Sequence, residues 1–71
     1  MKIVLYSTGC PKCEELKLLL NEYNISYEEN NSIEEMLNLG FDEIPVLNVE
    51  GNNMTFKIAQ NWIIENGKKL R

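Results

Sequence analysis

Residues 2–13 read KIVLYSTGCPKC and place the chain's only two cysteines, Cys10 and Cys13, directly after an apolar stretch. Residues 2–6 are rich in β-branched and aromatic side chains and nearly all apolar, which predicts a strand covered on both faces. Pro11 suits the first turn of a helix, where its missing N–H would have no partner in any case. The segment therefore predicts a strand that leads into a helix, with both thiols at the start of that helix.

Three helices are predicted from apolar residues that recur at intervals of three and four. The first ends at Asn24, and the third ends near Gly67. The second begins at a capping box formed by Ser32 and Glu35 and ends at Gly40. The residues predicted to face inward are Cys13, Leu16, Leu19, Leu20 and Tyr23 in the first helix, Ile33, Met36 and Leu37 in the second, and Ile58, Ala59, Trp62 and Ile63 in the third.

Four strands are predicted, at residues 2–6, 25–27, 44–49 and 54–56. The first two are joined by a helix and should be parallel, whereas the turn at residues 50–53 should make the last two a hairpin. The element order is β-α-β-α-β-β-α. The sequence therefore predicts one α/β domain over residues 1–71, with a four-stranded mixed sheet flanked by three helices.

The composition excludes several classes of function. The 71-residue chain has a formal net charge of −4 and no histidine, which argues against nucleic acid as the main partner. Two cysteines without histidine cannot complete a four-ligand zinc site within one chain, so zinc binding would need a dimer or carboxylate ligands. No apolar stretch is long enough to span a membrane, and the cytoplasm is the expected compartment. The basic residues at 68–71 and the acidic side chains Glu28, Glu29, Glu34 and Glu35 are expected to be solvated.

The C-x-x-C spacing indicates thiol–disulfide exchange, in which a thiolate is the nucleophile. Cys10 is expected at the helix N-terminus, where unpaired backbone N–H groups favour negative charge. Lys12 is expected to add a nearby cation, so both effects should lower the pKa of Cys10. Cys13 lies one turn further in and should be more buried and less ionised. Cys10 is thus predicted to attack a substrate disulfide, and Cys13 to resolve the resulting mixed disulfide.

A strand, then Cys-Pro-x-Cys at the start of a helix, then Ile-Pro-Val about 30 residues further on, resembles the glutaredoxins and other thioredoxin-fold proteins. The resemblance covers essentially the whole chain. It implies a thioredoxin-like fold, a cis bond between Ile44 and Pro45, and pairing of the Ile44 backbone with a bound substrate. The site residues that follow are Cys10 and Cys13 for catalysis, Thr8, Pro11 and Lys12 in support, and Ile44 and Pro45 for substrate binding.

The chain departs from many glutaredoxins at positions that hold glutathione. Ser7 replaces a lysine, Lys12 replaces a tyrosine, and residues 54–57 lack a Gly-Gly pair. Two electron donors therefore remain open: glutathione as a co-substrate, or a flavoprotein reductase, as for redoxins that serve ribonucleotide reductase. No tightly bound cofactor and a monomer are expected, with disulfide-containing proteins or small thiols as partners. A further alternative is a non-catalytic docking module or an iron–sulfur-binding module.

Overall fold

The computed structural model describes residues 2–67, so the basic residues at 68–71, predicted to be a solvated tail, lie outside the described part of the chain. The predicted order of strands and helices is confirmed. The elements are β1 (Ile3–Tyr6), α1 (Pro11–Glu22), β2 (Glu28–Asn30), α2 (Ile33–Asn38), β3 (Val46–Val49), β4 (Asn52–Met54) and α3 (Phe56–Asn66).

The four strands form one mixed sheet in the order β2-β1-β3-β4. β1 runs parallel to β2 and antiparallel to β3, and β3 forms a hairpin with β4. Leu5 pairs with Leu47 on one side and Glu29 on the other, so these three side chains share one face. The predicted parallel pair and hairpin are both confirmed, and β1 occupies a central position.

The core lies between one face of the sheet and the two longer helices, α1 and α3. Alternation along β1 and β3 directs every second side chain to this face. Phe41 contacts Tyr6 on the opposite face, with ring centroids 5.0 Å apart. The buried core cluster consists of Ile3, Leu5, Leu16, Leu20, Leu47, Val49, Ala59 and Ile63.

The predicted helix ends at Asn24 and Gly40 are confirmed. Each adopts a positive φ, 57° and 77° respectively, and the N–H of the next residue returns to a carbonyl in the last helical turn. This is the Schellman arrangement. At the start of α2, the Ser32 hydroxyl accepts the Glu35 N–H at 3.2 Å. The Glu35 carboxylate accepts from the Asn30 side chain instead of closing the capping box.

The second strand lies three residues later than predicted, at Glu28–Asn30 instead of 25–27. The alternating pattern of Ile25 and Tyr27 has a different cause, because both side chains are half-buried against the core cluster. They belong to the segment that connects α1 to the sheet. The alternation of apolar and polar residues here therefore results from packing against the core and not from pairing in the sheet.

The fourth strand lies earlier than predicted, at Asn52–Met54 instead of 54–56. The hairpin loop needs only Glu50 and Gly51, with φ values of 50° and 88°. Positive φ at both loop residues is the hallmark of type I′ turns, whose twist matches that of the strands. Thr55 is then free to precede α3, and Phe56 becomes helical. The predicted end of this helix at Gly67 is confirmed.

Three residues predicted to face inward are exposed: Ile33 by 61 %, Leu37 by 71 % and Ile58 by 58 %. α2 has only six residues and buries Met36 alone, so the other apolar side chains of this short helix remain in solvent. In α3, Ala59 and Ile63 are buried, and Ile58 lies about 100° around the helix from Ala59.

Leu16 and Leu18 of α1 provide a matched test of this packing. Leu16 is fully buried, whereas Leu18 is 67 % exposed. We expect Leu16→Ala to lower the free energy of unfolding by about 2–5 kcal/mol, because it leaves a cavity in the core. We expect Leu18→Ala to change it by about 0.5 kcal/mol or less. Urea denaturation measures both, and equal losses would contradict the described orientation of α1.

Candidate functional site

The two cysteines lie at the N-terminus of α1 and differ in exposure. Cys10 is the N-cap residue and is half-exposed, whereas Cys13 is fully buried in the first turn. Both are free thiols, and their sulfur atoms are 2.6 Å apart. A small side-chain rotation would bring them to the disulfide bond length of about 2.05 Å. The pair is therefore placed to open and close a disulfide.

The local backbone explains this placement. Gly9 has a φ of 83°, a conformation that favours glycine and reverses the chain between β1 and α1. Pro11 occupies the first helical position, as predicted. The Cys10 sulfur accepts the Cys13 N–H at 3.3 Å, which satisfies one of the unpaired donors at the helix start. The reactive sulfur is thus also the cap of the helix.

The pKa of Cys10 is lowered, in agreement with the sequence-based expectation. The largest cause is a hydrogen bond from the Cys13 side chain, which outweighs the opposing effect of burial. The backbone N–H groups of Cys13 and Lys12 and the side chain of Thr8 also stabilise the thiolate. The pKa of Cys13 is raised, first by burial and then by its interaction with Cys10. Cys10 is therefore the thiol that ionises first.

Lys12 acts on Cys10 through its backbone and not, as expected, through its charge. Its ammonium group lies over the ring of Phe56, 5.6 Å from the centroid, a distance typical of a cation–π contact. Only the Lys12 backbone N–H is among the groups that lower the pKa of Cys10. The charge of Lys12 is not among the causes of the lowered pKa of Cys10, and the ammonium group instead contacts the ring of Phe56 in α3.

The Ile44–Pro45 peptide bond is cis, which confirms the expectation from the family resemblance. Pro45 is buried and precedes Val46, which pairs with Tyr6 at the end of β1. Ile44 and Pro45 line a cavity of about 340 Å³ together with Lys12. The structure thus brings the predicted substrate-binding residues to the same cavity as Lys12, the residue next to Cys13 in the sequence.

A polar cluster around the buried Ser7 hydroxyl was not predicted. Ser7 is fully buried, and its hydroxyl donates to the Glu29 carboxylate at 2.8 Å. Lys17 Nζ lies 2.6 Å from the same carboxylate oxygen, and these contacts hold the pKa of Glu29 below its usual value. Glu29 is exposed, as predicted, and in addition binds Ser7 and Lys17. The sequence carried one signal, because Ser7 continues the inward alternation of Ile3 and Leu5, and a buried hydroxyl requires a partner.

The comparison with protein-family models found no match, and neither did the search of curated proteins. Within residues 2–67, no group of three or more side chains could hold a metal ion. No helix in the same range is long and apolar enough to cross a membrane. The geometry of the dithiol therefore carries the functional proposal.

The pKa difference between the thiols predicts selective alkylation by iodoacetamide. Cys10 should react much faster than Cys13 at pH 7, because only the thiolate is nucleophilic and Cys13 is buried. The Cys10 rate should rise with pH at lower values than in an ordinary thiol. Mass spectrometry of partly alkylated protein measures the extent of alkylation at Cys10 and at Cys13.

Two variants test which groups determine the pH dependence of Cys10 alkylation. Thr8→Val should shift the Cys10 profile to higher pH, because it removes a hydrogen bond to the thiolate. Lys12→Met should leave the profile unchanged, because the backbone N–H is retained and the ammonium group points elsewhere. A clear shift in Lys12→Met would contradict the cation–π position of Lys12.

Proposed function

We propose that the protein is a dithiol–disulfide oxidoreductase that reduces disulfides in proteins or small molecules. One observation carries the proposal: two free thiols whose sulfurs are 2.6 Å apart have opposite pKa shifts and opposite exposure. A purely structural pair has no need of an exposed, readily ionised member. A pair that opens and closes a disulfide fits a reducing compartment such as the cytoplasm, where structural disulfides are rare.

In the proposed reaction, the Cys10 thiolate attacks one sulfur of the substrate disulfide. A bond forms between Cys10 and that sulfur, and the other substrate sulfur leaves as a thiolate. Cys13 then gives its proton to the first released thiolate, directly or through water, and attacks the Cys10 sulfur, which forms the Cys10–Cys13 disulfide and releases the second substrate thiolate. Two electrons pass to the substrate. An external thiol or an NADPH-dependent reductase returns two electrons to the protein.

The element order and the mixed sheet support a thioredoxin-like fold for this chain. On this proposal, Pro45 forms one wall of the site, and the backbone of Ile44 pairs with an extended segment of the substrate. The shared cavity of Lys12, Ile44 and Pro45 supports this role. Thr8 stabilises the thiolate, and Pro11 fixes the first helical turn between the two sulfurs.

A flavoprotein reductase is favoured over glutathione as the electron donor. Ser7 occupies the position where many glutaredoxins use a lysine to bind glutathione, but its hydroxyl is buried and donates to Glu29. It therefore cannot contact a ligand at the surface. The start of α3 also lacks the Gly-Gly pair, since Thr55 and Phe56 lie there. Both departures remove contacts that glutathione would use.

The division of roles predicts different trapping by two variants. Cys13→Ser should accumulate a mixed disulfide through Cys10, because the resolving thiol is missing. Cys10→Ser should accumulate none, because the buried Cys13 cannot reach the substrate. Non-reducing mass spectrometry after incubation with a peptide disulfide measures both. Equal trapping by the two variants would contradict the assigned roles, and no reduction by the unmodified protein would contradict the proposed function.

The donor is tested by NADPH oxidation coupled to disulfide reduction. We expect sustained turnover with a thioredoxin-type flavoprotein reductase and little turnover with glutathione and glutathione reductase. Each system is run with a known substrate redoxin as a positive control. Turnover that requires glutathione would contradict the favoured donor while leaving the dithiol chemistry intact.

A further inference from the structure

We propose that Asp42, Glu43 and the apolar cavity beside them select protein disulfides with a basic and an aliphatic side chain next to the reactive cysteine. This inference rests on the proposed oxidoreductase function and names its substrate class. It concerns the loop between α2 and Pro45, which the chemistry of the dithiol itself does not use.

The apolar cavity has a volume of about 310 Å³ and lies between this loop and the β3–β4 hairpin. Phe41, Val46 and Met54 contribute its apolar lining, and Asp42 and Glu43 lie at its wall. This volume is near the lower end of the range for ligand pockets. It is large enough for a single aliphatic side chain of a bound segment.

The same two carboxylates connect this cavity to the dithiol. Asp42 and Glu43 also line the 340 Å³ cavity that contains Lys12 and Pro45. A continuous surface therefore leads from Lys12, which lies between the two cysteines in the sequence, past two acidic side chains, to the apolar cavity. An extended peptide whose cysteine lies at Cys10 would pass the carboxylates before its next side chains reach the cavity.

The charges along this path are unbalanced. Asp42 and Glu43 are exposed and form no ion pair within residues 2–67. Among the residues that line the 340 Å³ cavity, Asp42 and Glu43 carry negative charge and Lys12 alone carries positive charge, so this wall has a net negative charge. A basic substrate residue is attracted to this wall, and complementary charges of this kind increase the rate of association.

A neighbouring cavity carries the opposite balance of charge. Lys12 is held over Phe56, and both line a cavity of about 440 Å³ with Glu43 and Lys57. Two lysines face one carboxylate there, whereas two carboxylates face Lys12 alone in the 340 Å³ cavity. A basic substrate residue is therefore favoured at the Asp42 end of this surface.

The test uses pre-reduced protein and symmetric peptide disulfides in which the residue after cysteine is lysine or glutamate and the next is leucine or serine. Release of peptide thiol gives the second-order rate constant. We expect the Lys-Leu peptide to react about tenfold faster than the Glu-Ser peptide at low salt, since two carboxylates and one apolar contact each contribute a few-fold. The lysine preference should shrink in about 0.5 M salt, whereas the leucine preference should remain.

A charge-reversal variant and a matched control test whether Asp42 and Glu43 cause the preference for lysine. The double variant Asp42→Lys/Glu43→Lys should reverse the preference between lysine and glutamate. The double variant Glu34→Lys/Glu65→Lys changes the net charge equally at exposed positions outside these cavities, and it should retain the preference for lysine.

Each remaining outcome has a definite meaning. Equal rates for all four peptides would overturn this inference but leave the proposed function intact. Loss of the preference in both double variants would attribute it to overall charge and overturn the role of Asp42 and Glu43. A preference for lysine without one for leucine would overturn the role of the cavity. Failure to reduce any of the peptides would instead contradict the proposed function.

Discussion

The hydrogen bond from the Cys13 N–H to the Cys10 sulfur links the fold to the chemistry of this protein. A thiolate accepts this bond more strongly than a thiol, so helix capping and ionisation stabilise each other. Because the pKa of Cys10 is lowered in the folded state, the thiolate's contribution to stability is present above the unfolded pKa. It is lost as the pH falls through the folded pKa. The start of α1 and the reactivity of Cys10 therefore share one interaction.

Local sequence rules predicted the parts of the fold that local interactions determine. The entry into α1 at Pro11 and the helix ends at Asn24 and Gly40 follow from backbone preferences of single residues. The position of β2 could not be predicted in this way, because the alternation of Ile25 and Tyr27 is the same whether a segment pairs in a sheet or packs beneath a helix. The exposure of Leu37 depends on how a helix of six residues packs against the sheet. The spacing of apolar residues within that helix does not determine this.

The candidate site shows the same difference between features set by local interactions and features set by distant residues. The pKa difference between Cys10 and Cys13 could be predicted because their positions in one helical turn determine most of it. The direction of the Lys12 side chain could not, because its partner Phe56 was expected in a strand and instead begins α3. The contact between Ser7 and Glu29 joins residues 22 positions apart and depends on the register of β1 with β2. Side chains whose partners come from distant segments required the structure.

The raised pKa of Cys13 opposes its proposed role as the resolving thiol in the resting protein, but the causes of the shift change during the proposed reaction. Burial is the largest cause and persists. The second is the hydrogen bond that the Cys13 thiol donates to Cys10, and repulsion by the Cys10 thiolate adds a smaller contribution. Once Cys10 has formed a mixed disulfide, its sulfur carries no charge, so the repulsion disappears and the hydrogen bond weakens. Cys13 then ionises more readily at the step that requires its thiolate, whereas in the resting protein it remains protonated and donates a hydrogen bond to Cys10. The same pair of sulfurs thereby favours attack by Cys10 first and by Cys13 second.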